Sequence, residues 1–152
     1  MIVYRLARKR HQLKLSGKGA AIQGGRWNSK GVEIIYTAKS RALAMAEVAV
    51  HLSLATLPTD FVMMEIEIPK HLKPLKLNSN KLPSNWNAWP YSQNTQKFGD
   101  DFIKGNTACI LEVPSAVVSG DFNILVNPSH PKFKSIKIVK MDDFPFDKRI
   151  FE

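Results

Sequence analysis

The chain has 152 residues, 44% of them hydrophobic and 23% charged, with a formal net charge of +9. That length suits one domain around one core, and the composition excludes a disordered tract and, with no run near the ~20 apolar residues of a spanning helix, a membrane helix. One cysteine, Cys109, and four scattered histidines exclude an internal disulfide and offer no metal-ligand spacing, while the positive charge points to an acidic or phosphorylated partner without choosing among them.

From the amino terminus, residues 2–5 form a short apolar run that predicts a strand with Arg5 at its end, followed by a basic, glycine-containing loop over 8–25. Apolar residues followed by basic ones reverse the order of a secretory signal, so a cytoplasmic protein is expected. Gly24 and Gly25, then Arg26, Trp27 and Asn28, then Gly31 predict a tight backbone excursion that carries Arg26 and leads into a strand over 33–37. Residues 40–54 hold strong helix formers and neither Gly nor Pro, with Thr37 or Ser40 as N-cap and Pro58 beyond the end. Leu43, Glu47, Val50 and Leu54 share one face of that predicted helix, which embeds Glu47 among apolar side chains.

A strand is expected over 61–68, where apolar and polar residues alternate before Pro69. Residues 72–101, with Pro74, Pro83 and Pro90 and the aromatics Trp86, Trp89 and Tyr91, predict a long irregular segment with at most one short helix. Strands follow at 108–113, 122–126 and 135–140, with a loosely packed coil after Met141. About six short strands and one firm helix, unevenly separated, give an α+β class: one compact domain with a mixed, mostly antiparallel β core and a few helices.

Chemistry concentrates on few positions. A carboxylate at mid-helix among Leu, Val and Ala must pair or protonate, because burying it alone is costly; Glu47 therefore needs a donor or cation, unless it turns to water or merely pairs with Arg41 or His51. Arg26 on its glycine-framed turn can fork two hydrogen bonds to phosphate or carboxylate, or serve the turn's own structure. Tyr36 can offer a ring face to a planar aromatic or simply fill the core. Ser115 has no nucleophile elbow and no adjacent His and Asp, so it suits orienting a ribose or a water rather than attacking. His130 fits a structured loop better than proton transfer, and Cys109 fits the core. The glycines match neither a dinucleotide-binding fingerprint nor a P-loop.

Tyr4-Arg5, GGRWNSKG at 24–31, IIYTA at 34–38, ALAMAEVAVHL at 42–52, VPSAVV at 113–118 and NILVNPSHPKF at 123–133 occur in the order found in the RES-domain toxins, which the chain resembles over nearly its whole length. The family is named for an arginine, a glutamate and a serine, and the resemblance carries these onto Arg26 or Arg5, Glu47 and Ser115. Tyr36 matches the tyrosine after the glycine-arginine motif, and Asn127 joins Arg5, Arg26, Tyr36 and Ser115 as substrate-binding residues. The resemblance implies residues 1–152 as a single RES domain of ADP-ribosyltransferase-like fold, with NAD as substrate rather than prosthetic group and with no metal. It implies the toxin of a type II toxin-antitoxin system that cleaves NAD at the nicotinamide–ribose bond, as a glycohydrolase or phosphorylase, or that transfers ADP-ribose to a protein. Its implied partner is an Xre-like antitoxin covering the active site, with a homodimer or a toxin-antitoxin hetero-oligomer as assembly. A nucleic-acid-binding module using the basic ends and Trp27, Trp86 and Trp89 is the alternative from another class, though no recognised nucleic-acid motif supports it.

Overall fold

A computed structural model describes residues 1–11 and 13–152. Seven strands form one sheet: β1 (Ile2–Arg8), β2 (Ile35–Ala38), β3 (Phe61–Glu67), β4 (Leu75–Lys76), β5 (Ile110–Pro114), β6 (Phe122–Val126) and β7 (Lys137–Asp143), in the order β4-β5-β6-β2-β1-β3-β7. All neighbours are antiparallel except β4 and β5, so the expected α+β class with a mostly antiparallel sheet is what the chain forms.

The sheet is apolar on both faces because strand side chains alternate. Ile110, Ile124, Val126, Met64 and Ile66 point to one face with Val3 and Ile35, beneath Leu13, Leu15 and Phe133. The intervening residues point to the other face in two groups: Leu6 and Met63 with Leu43 and Ala44, and Leu111, Val113 and Leu125 with Trp27 and Phe102. Burying each such large side chain contributes roughly 1.5–3 kcal/mol.

Two helices cover the second face. α2 (Arg41–Ala49) begins at Ser40, whose hydroxyl accepts from the Leu43 amide, and it ends before the expected residue 54. His51 and Leu52 amides donate three residues back, to Val48 and Ala49, and Ser53 bonds Thr56 at 2.9 Å; these local bonds tighten and close the last turn. Leu43 and Ala44 are therefore the buried positions, while Val50 and Leu54 are exposed. α3 (Gln93–Gly105) is a 13-residue helix, capped by Ser92 and closed by Asn106 in the left-handed region, where only a short helix was expected. Its Thr95, Phe98, Gly99, Phe102 and Ile103 recur at helical spacing on the inward side.

Three other expectations need correcting. The region 8–25, read as loop, continues β1 to Arg8 and contains α1 (Lys18–Gln23); Gln12 lies outside the described residues. Arg5 sits in mid-strand opposite Met64 rather than at a strand end. The tail after Met141 packs: β7 runs to Asp143, and Phe144 and Phe146 meet edge to face at 5.4 Å beside Phe61.

What positions a cleft is the weak seam in the sheet. β1 pairs with β3 at seven positions, from Ile2 to Arg8, but with β2 at one, Tyr4 opposite Ala38. Residues on both sides of that seam line a cleft that opens there.

Candidate active site

The cleft has a volume of about 780 Å³, within the roughly 300–1,000 Å³ typical of small-molecule sites. Arg5 comes to it from β1, Tyr36 from β2, Glu47 from α2, Asn123 from β6 and Arg26 from the turn between α1 and β2.

Glu47 is half-buried and anchored on one side. Its Oε1 accepts from the Ser115 hydroxyl at 2.7 Å and from the Asn123 amide nitrogen at 2.6 Å. Its pairing with Arg41 or His51 is ruled out: Arg41 bonds Glu65 at 2.7 Å and reaches Asp142, and His51 packs against Trp89. With Oε1 held by two donors, Oε2 remains for the cleft. Two hydrogen bonds to one oxygen fix the orientation of the carboxyl group.

Ser115 is buried and does not itself line the cleft. Its oxygen accepts from the amides of Val117 and Val118 at 3.1 and 2.9 Å, so its single proton is directed to Glu47. The group its hydroxyl orients is Glu47, where a ribose or a water was expected.

Arg5 is half-buried, desolvation lowers its pKa from the ordinary guanidinium value, and one of its N–H groups donates to the Ser16 carbonyl at 3.0 Å. It has no carboxylate partner among the described residues. A guanidinium carries five donors, so Arg5 presents a desolvated positive charge to the cleft with capacity left for an anion.

Arg26 differs. Its Nη1 donates to the carbonyls of Trp86 and Ala88 at 2.7 and 2.9 Å, so it tethers the 86–91 loop to the rim as well as facing the cleft. Burial lowers its pKa, and the charge of Glu47 acts against that shift through space. Neither arginine hydrogen-bonds Glu47 among the described residues.

The turn carrying Arg26 is held from the segment over 72–101 that was expected to be irregular. Gln96 donates to the carbonyls of Gly25 and Asn28, Asp100 accepts from the Ser29 amide at 2.9 Å, and Tyr91 donates to Gly24. Trp27 is 2% exposed and lies 6.0 Å from Trp86. Trp27 is thus unavailable as a nucleic-acid stacking surface, whereas Trp89, at the rim, is 66% exposed.

Tyr36 lines the cleft with its hydroxyl fully engaged: it donates to Asn28 Oδ1 at 2.7 Å and accepts from the Trp27 amide at 3.0 Å. Burial pushes its pKa well above the ordinary phenol value, so it is a neutral ring. The hydroxyl comes so near Gly25 that a Cβ there would lie 2.6 Å from it, which is why the second glycine of the pair has no side chain. Tyr36→Phe should cost about 1–3 kcal/mol by leaving the Asn28 and Trp27 groups unpaired, read as a lower denaturant midpoint, while the ring face remains.

Two residues lie apart from the cleft. Asn127, expected to bind substrate, is fully buried elsewhere, bonding Asn106 at 2.9 Å and the Ser129 amide; it shapes the loop after β6. His130 accepts from the Lys132 amide and caps a short 3-10 turn, as a loop residue. Asn123 was not expected in the site, and its one signal in the sequence is a lone amide within the otherwise apolar strand FNILV.

The RES domain family matches residues 2–148. The chain is 40% identical over 138 residues, 90% of its length and 86% of the relative's, to the "Prs ADP-ribosylating toxin" of Sphingobium sp. strain YBL2. It is 39% identical over 152 residues, covering 99% of itself and 97% of the relative, to "Toxin Res" of Photorhabdus laumondii. In fold it resembles a chain of the M. tuberculosis MbcT-MbcA toxin-antitoxin complex, with a TM-score of 0.78 at 21% identity, over 95% of this chain and 84% of that one.

Proposed function

The chain belongs to the RES domain family, and from that premise we propose that it is a toxin that binds NAD in the Glu47 cleft and breaks the nicotinamide–ribose bond. The observation that carries this reading is the presence in one cleft of an anchored carboxylate, Glu47, and a desolvated guanidinium, Arg5, that has no carboxylate partner among the described residues. An anionic dinucleotide whose reacting centre becomes cationic suits both.

In the proposed reaction Arg5, and Arg26 with its remaining donors, grip the pyrophosphate, and the Tyr36 ring faces the nicotinamide. The C1'–N bond breaks with its electron pair passing to the ring nitrogen, which leaves neutral nicotinamide and positive charge on the ribose. Glu47 Oε2 stabilises that charge more than it does the bound substrate, which is the condition for acceleration. An acceptor then attacks C1' and gives up its proton, to Glu47 or to solvent.

Water, phosphate and a protein side chain are each chemically competent acceptors, since the bond broken is the same. The Sphingobium relative is named for ADP-ribosylation, which favours a protein acceptor as the second reading. NAD labelled in its phosphates separates them: label in free ADP-ribose, in its phosphorylated form, or on a protein band of cell extract identifies the acceptor.

Arg5→Met should weaken NAD binding by roughly 10- to 150-fold, the equivalent of losing a charged hydrogen bond of about 1.5–3 kcal/mol, seen as a raised KM; an unchanged KM would remove Arg5 from the phosphate-binding role. A cell that makes such a toxin needs a neutralising partner. The charge of +9, with Arg5 and Arg26 at the cleft, suits an Xre-like antitoxin that inserts an acidic segment there.

A further inference from the structure

We propose that Asn123 is a substrate-contacting residue, whose side-chain carbonyl accepts a hydrogen bond from the ribose 2'-hydroxyl next to the bond being broken. This rests on the reading of the cleft as an NAD site.

Asn123 is 8% exposed, on β6, and it lines the cleft. Its amide is half satisfied. Nδ2 donates to Glu47 Oε1 at 2.6 Å, while Oδ1 is buried with no hydrogen-bond partner among the described residues. A buried acceptor left unpaired is costly and rare in a folded chain. Turning the amide over does not relieve this, because Oδ1 would then oppose the Glu47 carboxylate and Nδ2 would be the orphan.

The orphan acceptor therefore calls for a donor, and one atom of chain separates it from the nitrogen that holds Glu47. The donor must arrive beside the Glu47 carboxylate. With Glu47 Oε2 directed at the ribose C1', the hydroxyl on the adjacent carbon is the nearest donor that the substrate brings. Asn123 would then connect the two jobs, fixing the carboxylate through Nδ2 and reading the ribose through Oδ1, so that Glu47 is aligned to the sugar it acts on.

The test compares NAD with an analogue lacking the 2'-hydroxyl on the nicotinamide ribose, for the wild type, Asn123→Ala and Asn123→Asp, by kcat/KM for nicotinamide release. Loosening Glu47 slows Asn123→Ala on both substrates, whereas the hydroxyl contact appears only as the non-additive part of the cycle. The expected coupling is roughly 3- to 10-fold, the size of one neutral hydrogen bond. Asn123→Asp has the same shape and keeps the acceptor, so it should retain discrimination between the substrates. Its pH profile should move upward, because two adjacent carboxylates share a proton. Equal losses on both substrates would overturn the contact and leave Asn123 a support for Glu47 alone. A wild type that releases nicotinamide from neither compound would instead remove the NAD reading, and this proposal with it.

Discussion

Glu47→Gln should reduce nicotinamide release by on the order of 10²- to 10³-fold, the usual consequence of removing one preorganised charge-stabilising group, while leaving the melting temperature nearly unchanged. The substitution is close to a surgical removal of charge. Glutamine's carbonyl oxygen can occupy the place of Oε1 and still accept from Ser115 and Asn123, so α2 stays tied to β6 and to the 115–118 turn. What changes is the atom left for the cleft, from a carboxylate oxygen to an amide. If positive charge develops on the ribose, that exchange raises the barrier without greatly altering substrate affinity, so kcat falls and KM does not. A folded Glu47→Gln protein that keeps wild-type turnover would show that the carboxylate is a structural hub only.

Gly99→Ala should unfold or strongly destabilise the protein, because a Cβ at this position would lie 1.7 Å from the Trp27 carbonyl oxygen. That obstacle is backbone, not the end of a flexible side chain, so either α3 must move outward or the glycine-arginine turn must lift. Overpacking of this kind costs typically about 1–3 kcal/mol and sometimes more, and at roughly 2–4 °C per kcal/mol for a chain this long the melting point should drop by several degrees or beyond. The same shift would disturb the bonds from Gln96 and Asp100 that hold the turn, so nicotinamide release should fall with stability. Gly19→Ala is the control: it lies within α1 and its Cβ would meet nothing within 4 Å, so it should be neutral or stabilising. Equal melting curves for wild type and Gly99→Ala would mean that α3 and the turn are less closely packed than described.

The contrast between those two sites also marks what the sequence made legible. Strands with an apolar run between turn residues were readable: β6 occupies the expected 122–126, β3 differs from expectation by one residue at its end, and β5 by two at its start and one at its end. Glu47 stood out because a carboxylate among Ala, Val and Leu demands partners, and Ser115 proved to be one. The partner Asn123 lies 76 positions away, and only the pairing of β6 with β2 brings it near; local spacing holds no record of that. α3 was hidden by its composition, since Asn, Thr, Gly and Asp are mediocre helix formers one at a time, and its helical period is carried by a few residues such as Phe98 and Phe102. α2 was overextended because propensity favoured continuation while Ser53 and Thr56 offered the backbone local alternatives. Asn127 was misplaced for a similar reason: an Asn before Pro can bind a ligand or brace a loop, and its bond to Asn106 decides for the loop.

The clamp from α3 onto the glycine-arginine turn has a functional consequence. Arg26 spends donors on the carbonyls of Trp86 and Ala88, so the rim loop and the turn are one unit, and Arg26 is as much a tether as a ligand. Under the proposed reaction Arg5, with a single carbonyl partner among the described residues, is the better phosphate anchor.

The most direct measurement is to incubate the folded, partner-free chain with NAD, in the presence of phosphate and of cell extract in separate reactions, and to follow nicotinamide and the mass of the remaining fragment. Free nicotinamide, matched by ADP-ribose appearing in solution, on phosphate or on a protein, is the predicted result. NAD that stays intact in every reaction would contradict cleavage in the Glu47 cleft.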